Sequence, residues 1–168
     1  MNRVVVMGVT GCGKSTVGLL LADALNVPFA DGDDLHPVAN IAKMEAGTPL
    51  TDDDRWPWLA DVGAWLAVHQ AGGVVACSAL KRSYRDAIAH AAGGEVRYIH
   101  LFASQEILEE RVRARAQREG HFAGPGLLYS QFTDLEALGP DENGLACDVG
   151  AFTPQQCVEA ATAFLAED

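Results

Sequence analysis

Eight residues near the start, Gly8-Val9-Thr10-Gly11-Cys12-Gly13-Lys14-Ser15, carry the pattern G-x-x-x-x-G-K-[ST]. Glycines let successive backbone N–H groups turn inward around phosphate oxygens, and a helix beginning there adds partial positive charge. Lys14 can then reach the β- and γ-phosphates of a nucleoside triphosphate, and Ser15 can offer its hydroxyl to Mg²⁺. The candidate nucleotide contacts are Gly8, Thr10, Gly11, Cys12, Gly13, Lys14, Ser15 and Thr16. A Gly-rich turn capping a helix has the same composition. Here an apolar run, Val4–Met7, precedes the loop and an amphipathic stretch, Lys14–Leu25, follows it, which is the context phosphate binding requires. The pattern implies a bound nucleoside triphosphate.

What happens to the γ-phosphate rests on other polar clusters. Asp31-Gly32-Asp33-Asp34-Leu35-His36-Pro37 follows a short strand candidate, Pro28–Asp31. In an open α/β sheet the residues past strand ends line the ligand crevice. Of Asp31 and Asp33, one carboxylate suits Mg²⁺ and the other suits an acceptor hydroxyl, which must lose its proton on attacking phosphorus. A solvated Asx turn with a helix cap is the plainer reading of such a sequence, and the neighbouring phosphate loop tips the balance to chemistry. In Thr51-Asp52-Asp53-Asp54-Arg55-Trp56-Pro57-Trp58 the three acids suit a helix start, whereas Arg55 can hold a carboxylate in bidentate fashion. Trp56 and Trp58 read as packing residues.

Cys77 through Asp86 brings Lys81, Arg82 and Arg85 to the end of a third apolar run. Either these recognise an anionic substrate, or they form an exposed helix face with Arg82 pairing to Asp86. Arg111, Arg113, Arg115 and Arg118 fall within eight residues that contain no acid. Arg111, Arg115 and Arg118 share a helical face, suited to closing on a triphosphate, while Glu109 and Arg113 are spaced to pair in solvent. The Gly120–Gly126 stretch supplies a loop for such a lid, with His121 in it. Cys12 and Cys77 read as small buried residues, with no His close in sequence to activate either.

These residues need a frame. Val4–Met7, Pro28–Asp31, Val74–Cys77, Val96–Phe102 and Leu145–Val149 read as strands. Lys14–Leu25, Trp58–Gln70 (with Pro57 in its first turn), Ser104–Arg118 and a helix capped by Thr153-Pro154-Gln155-Gln156 alternate with them. Alternation of this kind predicts an α/β fold with a mostly parallel sheet between helical layers. The 168 residues fit one domain, and 12 Lys+Arg against 23 Asp+Glu give a net charge of −11. That charge disfavours nucleic acid as a partner. Four cysteines without metal or disulfide spacing favour a reducing, cytoplasmic setting. No apolar run has the length of a membrane span or signal segment.

Taken together, the chain resembles gluconate kinases of the thermoresistant gluconokinase type, small P-loop kinases related to shikimate and nucleoside monophosphate kinases. The resemblance rests on Gly8–Ser15, Asp31-Gly32-Asp33 through His36-Pro37, Asn40 with Lys43-Met44, and Pro49-Leu50 leading to Asp52, Asp54-Arg55 and Pro57-Trp58-Leu59. It continues through Cys77-Ser78-Ala79-Leu80-Lys81, Tyr84-Arg85-Asp86, Gly120-His121-Phe122, Ser130-Gln131-Phe132 and Leu135-Glu136. It implies transfer of the ATP γ-phosphate to the 6-hydroxyl of D-gluconate with Mg²⁺, a sheet in the order 2-3-1-4-5, a helical lid near residues 111–130, and a homodimer. The implied acceptor contacts are Asp33, His36, Arg55, Lys81, Arg85, His121 and Gln131. Lys14, Asp33 and Arg115 are the implied catalytic residues, Ser15 and Asp31 the implied Mg²⁺ residues, and Arg111 is implied to stack on adenine. This chain has Ala116-Gln117-Arg118-Glu119 where the family usually has a Lys before the Gly-His-Phe run. Either Arg115 or Arg118 then faces the phosphates. A related kinase for another small acid such as shikimate, and a nucleotide-dependent switch, are the competing readings.

Overall fold

The computed structural model describes residues 2–119 and 126–167. Five strands form one sheet: β1 (Arg3–Met7), β2 (Phe29–Asp31), β3 (Gly73–Ala76), β4 (Arg97–Phe102) and β5 (Gly144–Asp148). Their order is β2-β3-β1-β4-β5, and every neighbouring pair is parallel. The helices are α1 (Lys14–Leu25), α2 (Val38–Glu45), α3 (Asp52–Val68), α4 (Arg82–Ala92), α5 (Gln105–Glu119), α6 (Gly126–Asp134) and α7 (Pro154–Leu165).

The strands are apolar on both faces because both faces are covered. Val4 and Val6 of β1 pack with α1, α5 and α7 through Val17, Leu21, Leu108 and Val158. Val5 and Met7 point the other way, onto α3 and α4 through Leu59, Val62, Leu66 and Ile88. One residue of register separates the two cores. The α3 and α4 helices approach so closely that a Cβ on Gly63 would run into the Ile88 carbonyl, so this position is closed to larger residues. That contact fixes α4, and with it the residues at its N-terminus, against α3.

The strand positions and α1 follow the sequence reading closely, and Thr153 and Gln156 form the expected capping box of α7. The start of α3 differs. It begins at Asp52, not near Trp58, because Thr51 and Asp54 make a reciprocal capping box that sets the first turn. Pro57 therefore lies inside the helix. Its missing N–H removes the bond to the Asp53 carbonyl, which sits in an exposed residue where water can replace it. Helix α5 runs on to Glu119, and α6 is docked on the body, with Leu128 fully buried and Phe132 packed against the α1 side of the core.

Candidate active site

The phosphate loop joins β1 to α1. Gly8, Gly11 and Gly13 have φ of 144, 83 and 90°, which side chains resist. Gly13 caps α1 without any side-chain cap, and the first turn holds no acid. The helix N-terminus is thus left with N–H groups and dipole facing the loop, ready for an anion. Lys14 Nζ lies 3.1 Å from the Val9 carbonyl oxygen, folded back across the loop. Cys12 beneath it is buried, and burial pushes its thiol up, away from nucleophilic use. Cys77 is likewise buried, its thiol pushed up to about 12.

Parallel pairing of β2 with β3 brings the end of β2 beside the loop. Ser15 Oγ donates to Asp31 Oδ2 at 2.7 Å, so the two expected Mg²⁺ residues meet. The other oxygen of Asp31 accepts from the Asp33 backbone N–H at 3.0 Å. This is the Asx turn the sequence suggested, and it also orders the site. Hard oxygens from one hydroxyl and one carboxylate fit Mg²⁺, an ion that keeps several waters and is held mostly through substrate phosphates. Among the described residues no group of three or more His, Cys, Asp or Glu forms a self-sufficient metal cage.

Asp33 sits on the short 3-10 turn Gly32–Leu35. Burial raises its carboxyl pKa above the ordinary value and the charge of Asp31 adds to this, with Lys14 and His36 opposing. The turn has little freedom. A Cβ on Gly32 would stand 2.6 Å from the Ala76 carbonyl oxygen, and the Gly32 carbonyl accepts from Trp58 Nε1 at 2.7 Å. His36 stacks on Trp58, centroids 4.1 Å apart and planes at 15°, and burial lowers its pKa. Asn40, buried on α2, donates Nδ2 to the Asp54 carbonyl at 2.9 Å, with His36 Nδ1 at 3.2 Å. Lys43 pairs with Asp54 at 2.7 Å, and this bond with the Thr51 backbone N–H holds the Asp54 carboxyl down at about 2.

Arg55 points toward the same region from α3. Its Nη1 donates to Asp52 Oδ1 at 3.1 Å, and Tyr84 Oη lies 3.4 Å away. Tyr84 Oη donates to that same Asp52 oxygen at 2.5 Å, the main reason the Asp52 carboxyl titrates below its ordinary range. Lys81 stands over the Tyr84 ring, 5.6 Å from its centroid, and 4.0 Å from Asp134.

Four residues expected at the site, Arg85, Gln131, Arg111 and Arg115, have other partners here. Arg85 is almost fully buried, and its donors go to Glu142 and to the carbonyls of Ala79, Leu80, Glu136 and Ala137. It ties α4 to the chain leading into β5 and has no donor left for substrate, because a buried guanidinium must satisfy all five N–H groups. Gln131 accepts the Thr10 backbone N–H at 2.6 Å, so it meets the phosphate loop, not the Arg55–Lys81 group. On α5, Arg111 donates to the Val149 carbonyl at 2.7 Å, and Arg115 pairs with Glu119 at 3.3 Å. Arg113 pairs with Glu109 at 3.8 Å and Arg82 with Asp86 at 2.9 Å, as helical spacing predicts. His121 lies outside the described residues.

The sequence reading gives Tyr84 and Asn40 no role, Trp58 only a packing role and Asp52 only a place at a helix start. Each acts across elements distant in sequence, and helical spacing around Arg55 gives a signal for Asp52 alone, at i−3.

The chain is similar to known small kinases. The shikimate kinase family model matches residues 10–120. The gluconokinase of Gluconobacter oxydans (strain 621H) is 46% identical over 143 residues, covering 82% of this chain and 77% of that protein. The thermoresistant gluconokinase of Escherichia coli (strain K12) is 42% identical over 141 residues, covering 82% and 78%. The crystal structure of a gluconokinase from Sinorhizobium meliloti 1021 superposes with a TM-score of 0.86 at 47% identity, covering 98% of this chain and 91% of that one.

Proposed function

The chain belongs to the gluconokinase family of small P-loop kinases, and from that premise we propose that it transfers the γ-phosphate of ATP to the 6-hydroxyl of D-gluconate. The products are 6-phospho-D-gluconate and ADP. The carrying observation is the juxtaposition at the end of β2, where Ser15 bonds to Asp31 at 2.7 Å and Asp31 bonds to the Asp33 backbone. An acceptor hydroxyl presented to Asp33 is thereby presented to the phosphate loop.

In phosphoryl transfer the protein chiefly positions the reactants and stabilises charge. Lys14 swings from its own loop to the β- and γ-phosphates, and the N–H groups of Gly11 through Thr16 cradle them. Ser15 and Asp31 would hold Mg²⁺, which would supply positive charge to offset that of the phosphates. Asp33, its pKa raised by burial, orients the 6-hydroxyl and takes its proton as the bond to phosphorus forms. Arg55 and Lys81 receive the carboxylate at the far end of the sugar acid, and His36 meets its hydroxyls. Arg111 packs against adenine. Arg115 reaches the phosphates by releasing Glu119, a change of at most about 1 kcal/mol for an exposed pair. The 168 residues work as one domain with a lid near 111–130, as a homodimer in the cytoplasm.

The test is ADP release by purified protein with ATP and Mg²⁺, against D-gluconate, shikimate, neutral sugars and a blank. Release that depends on gluconate is expected. Release with shikimate instead would reassign the acceptor, and release without any acceptor would favour a nucleotide switch.

A further inference from the structure

Two cations converge on one aromatic ring at the acceptor side. Arg55 Cζ lies 5.7 Å and Lys81 Nζ 5.6 Å from the centroid of Tyr84, a side chain that is almost fully buried. The ring is a fixed object. It is carried at the third position of α4, the helix locked to α3 at Gly63, and Trp56 meets it edge-on at 5.7 Å. Its hydroxyl is engaged as well, donating to Asp52 Oδ1, the oxygen that also accepts from Arg55 Nη1. Asp52 thus links the tyrosine to the arginine, leaving the other edge of the guanidinium, Nε and Nη2, without a hydrogen bond among the described residues.

That arrangement solves a specific problem. Arg and Lys side chains are long and flexible, and two like charges repel, so a pair of them does not stay converged without support. A negative ring face attracts both, and a carboxylate anchored by a tyrosine turns the guanidinium so that its bidentate edge faces outward. Resting on the proposed reading of the acceptor, we propose that Tyr84 is the positioning residue of the acceptor's anion subsite. Its hydroxyl orients Arg55 through Asp52, and its ring spaces Arg55 from Lys81 so that both receive one carboxylate of a sugar acid. Tyr84 itself touches no substrate. Asp52 and Asp134 bring two negative charges to the same group, so the subsite's preference for an anion rests on orientation more than on excess positive charge.

Tyr84→Phe keeps the ring and removes the hydroxyl. Calorimetric titration with D-gluconate and, separately, ADP is made for wild type, Tyr84→Phe, Arg55→Gln and the double variant. A hydrogen bond to a charged group predicts about a tenfold weaker gluconate affinity in Tyr84→Phe with ADP affinity unchanged. In the Arg55→Gln background the same change is expected to alter gluconate affinity less than about twofold, since Tyr84 acts through Arg55. Unchanged gluconate affinity in Tyr84→Phe overturns the proposal, as does an undiminished effect without Arg55 or an equal loss of ADP affinity, which marks a merely structural role. Wild-type protein that binds ADP but not gluconate overturns the acceptor reading and this inference together, whereas gluconate binding that ignores Tyr84 overturns the inference alone.

Discussion

The phosphate loop and the proposed acceptor side are built from different materials. The phosphate loop is made of backbone: three glycines at positive φ, an uncapped helix N-terminus, and one lysine. The proposed acceptor side is made of side chains held from other elements: Trp58 donates to the Gly32 carbonyl, Asn40 to the Asp54 carbonyl and Tyr84 to the Asp52 carboxylate. Backbone geometry recognises what every triphosphate shares, and it needs a contiguous stretch of chain. Recognition of one small acid needs polar groups at set separations, which several elements must contribute. The contrast is sharpest between two arginines. Arg55 is held at one edge and open at the other, whereas Arg85, one turn into α4, is consumed by Glu142 and four carbonyls.

If the division is right, damage should sort by region. Lys14→Ala removes the one side-chain charge the loop contributes and should lower kcat by about 10³-fold or more, with circular dichroism and thermal unfolding unchanged. Arg85→Ala should do the reverse. Glu142 would be left buried without its partner, at a cost of about 3–5 kcal/mol read from denaturant unfolding. A fully stable Arg85→Ala protein with a raised KM for gluconate would return Arg85 to the substrate.

On the acceptor side, Asp33→Asn should reduce kcat by about 10²-fold or more and leave the KM for ATP within about twofold. The pH profile adds a sign. With ionised Asp33 as the proposed active form and its pKa raised by burial, kcat/KM should fall as pH drops through a value above that of an ordinary Asp. That acid limb should vanish in Asp33→Asn, and its persistence would assign the proton acceptor elsewhere. The smallest effect concerns Asp54. Its folded pKa of about 2 lies below the ordinary 3.8, so its contribution to stability is present above pH 3.8 and lost as pH falls through 2. Asp54→Asn should flatten that part of the curve of unfolding midpoint against pH.

The same contrast governs what the sequence could disclose. The strand–loop–helix signature of the phosphate loop is local, as is the capping box of α7. The sheet order is not local, and it follows from the family resemblance. Pro57 misled because proline favours a first helical turn, yet the stronger local device was the Thr51–Asp54 box six residues earlier. Arg85 misled for a different reason. Spacing shows that a cation follows a strand end, but its partner Glu142 is 57 residues away and arrives only when β5 joins the sheet. Gln131 reaches Thr10 across 121 residues, a contact no pattern announces. Tyr84 was visible as a residue and silent as a role, since its meaning depends on α3 and α4 packing together.

In the proposed reaction the hydroxyl presented at Asp33 lies at the end of the acceptor opposite the carboxylate held near Arg55. Phosphorus–proton correlation NMR of the product formed from ATP and D-gluconate reads this position. Coupling of the new phosphorus signal to the C6 protons is expected, with ADP formed in equal amount. Phosphate at another carbon, or free inorganic phosphate accompanying ADP, would overturn the proposed reaction.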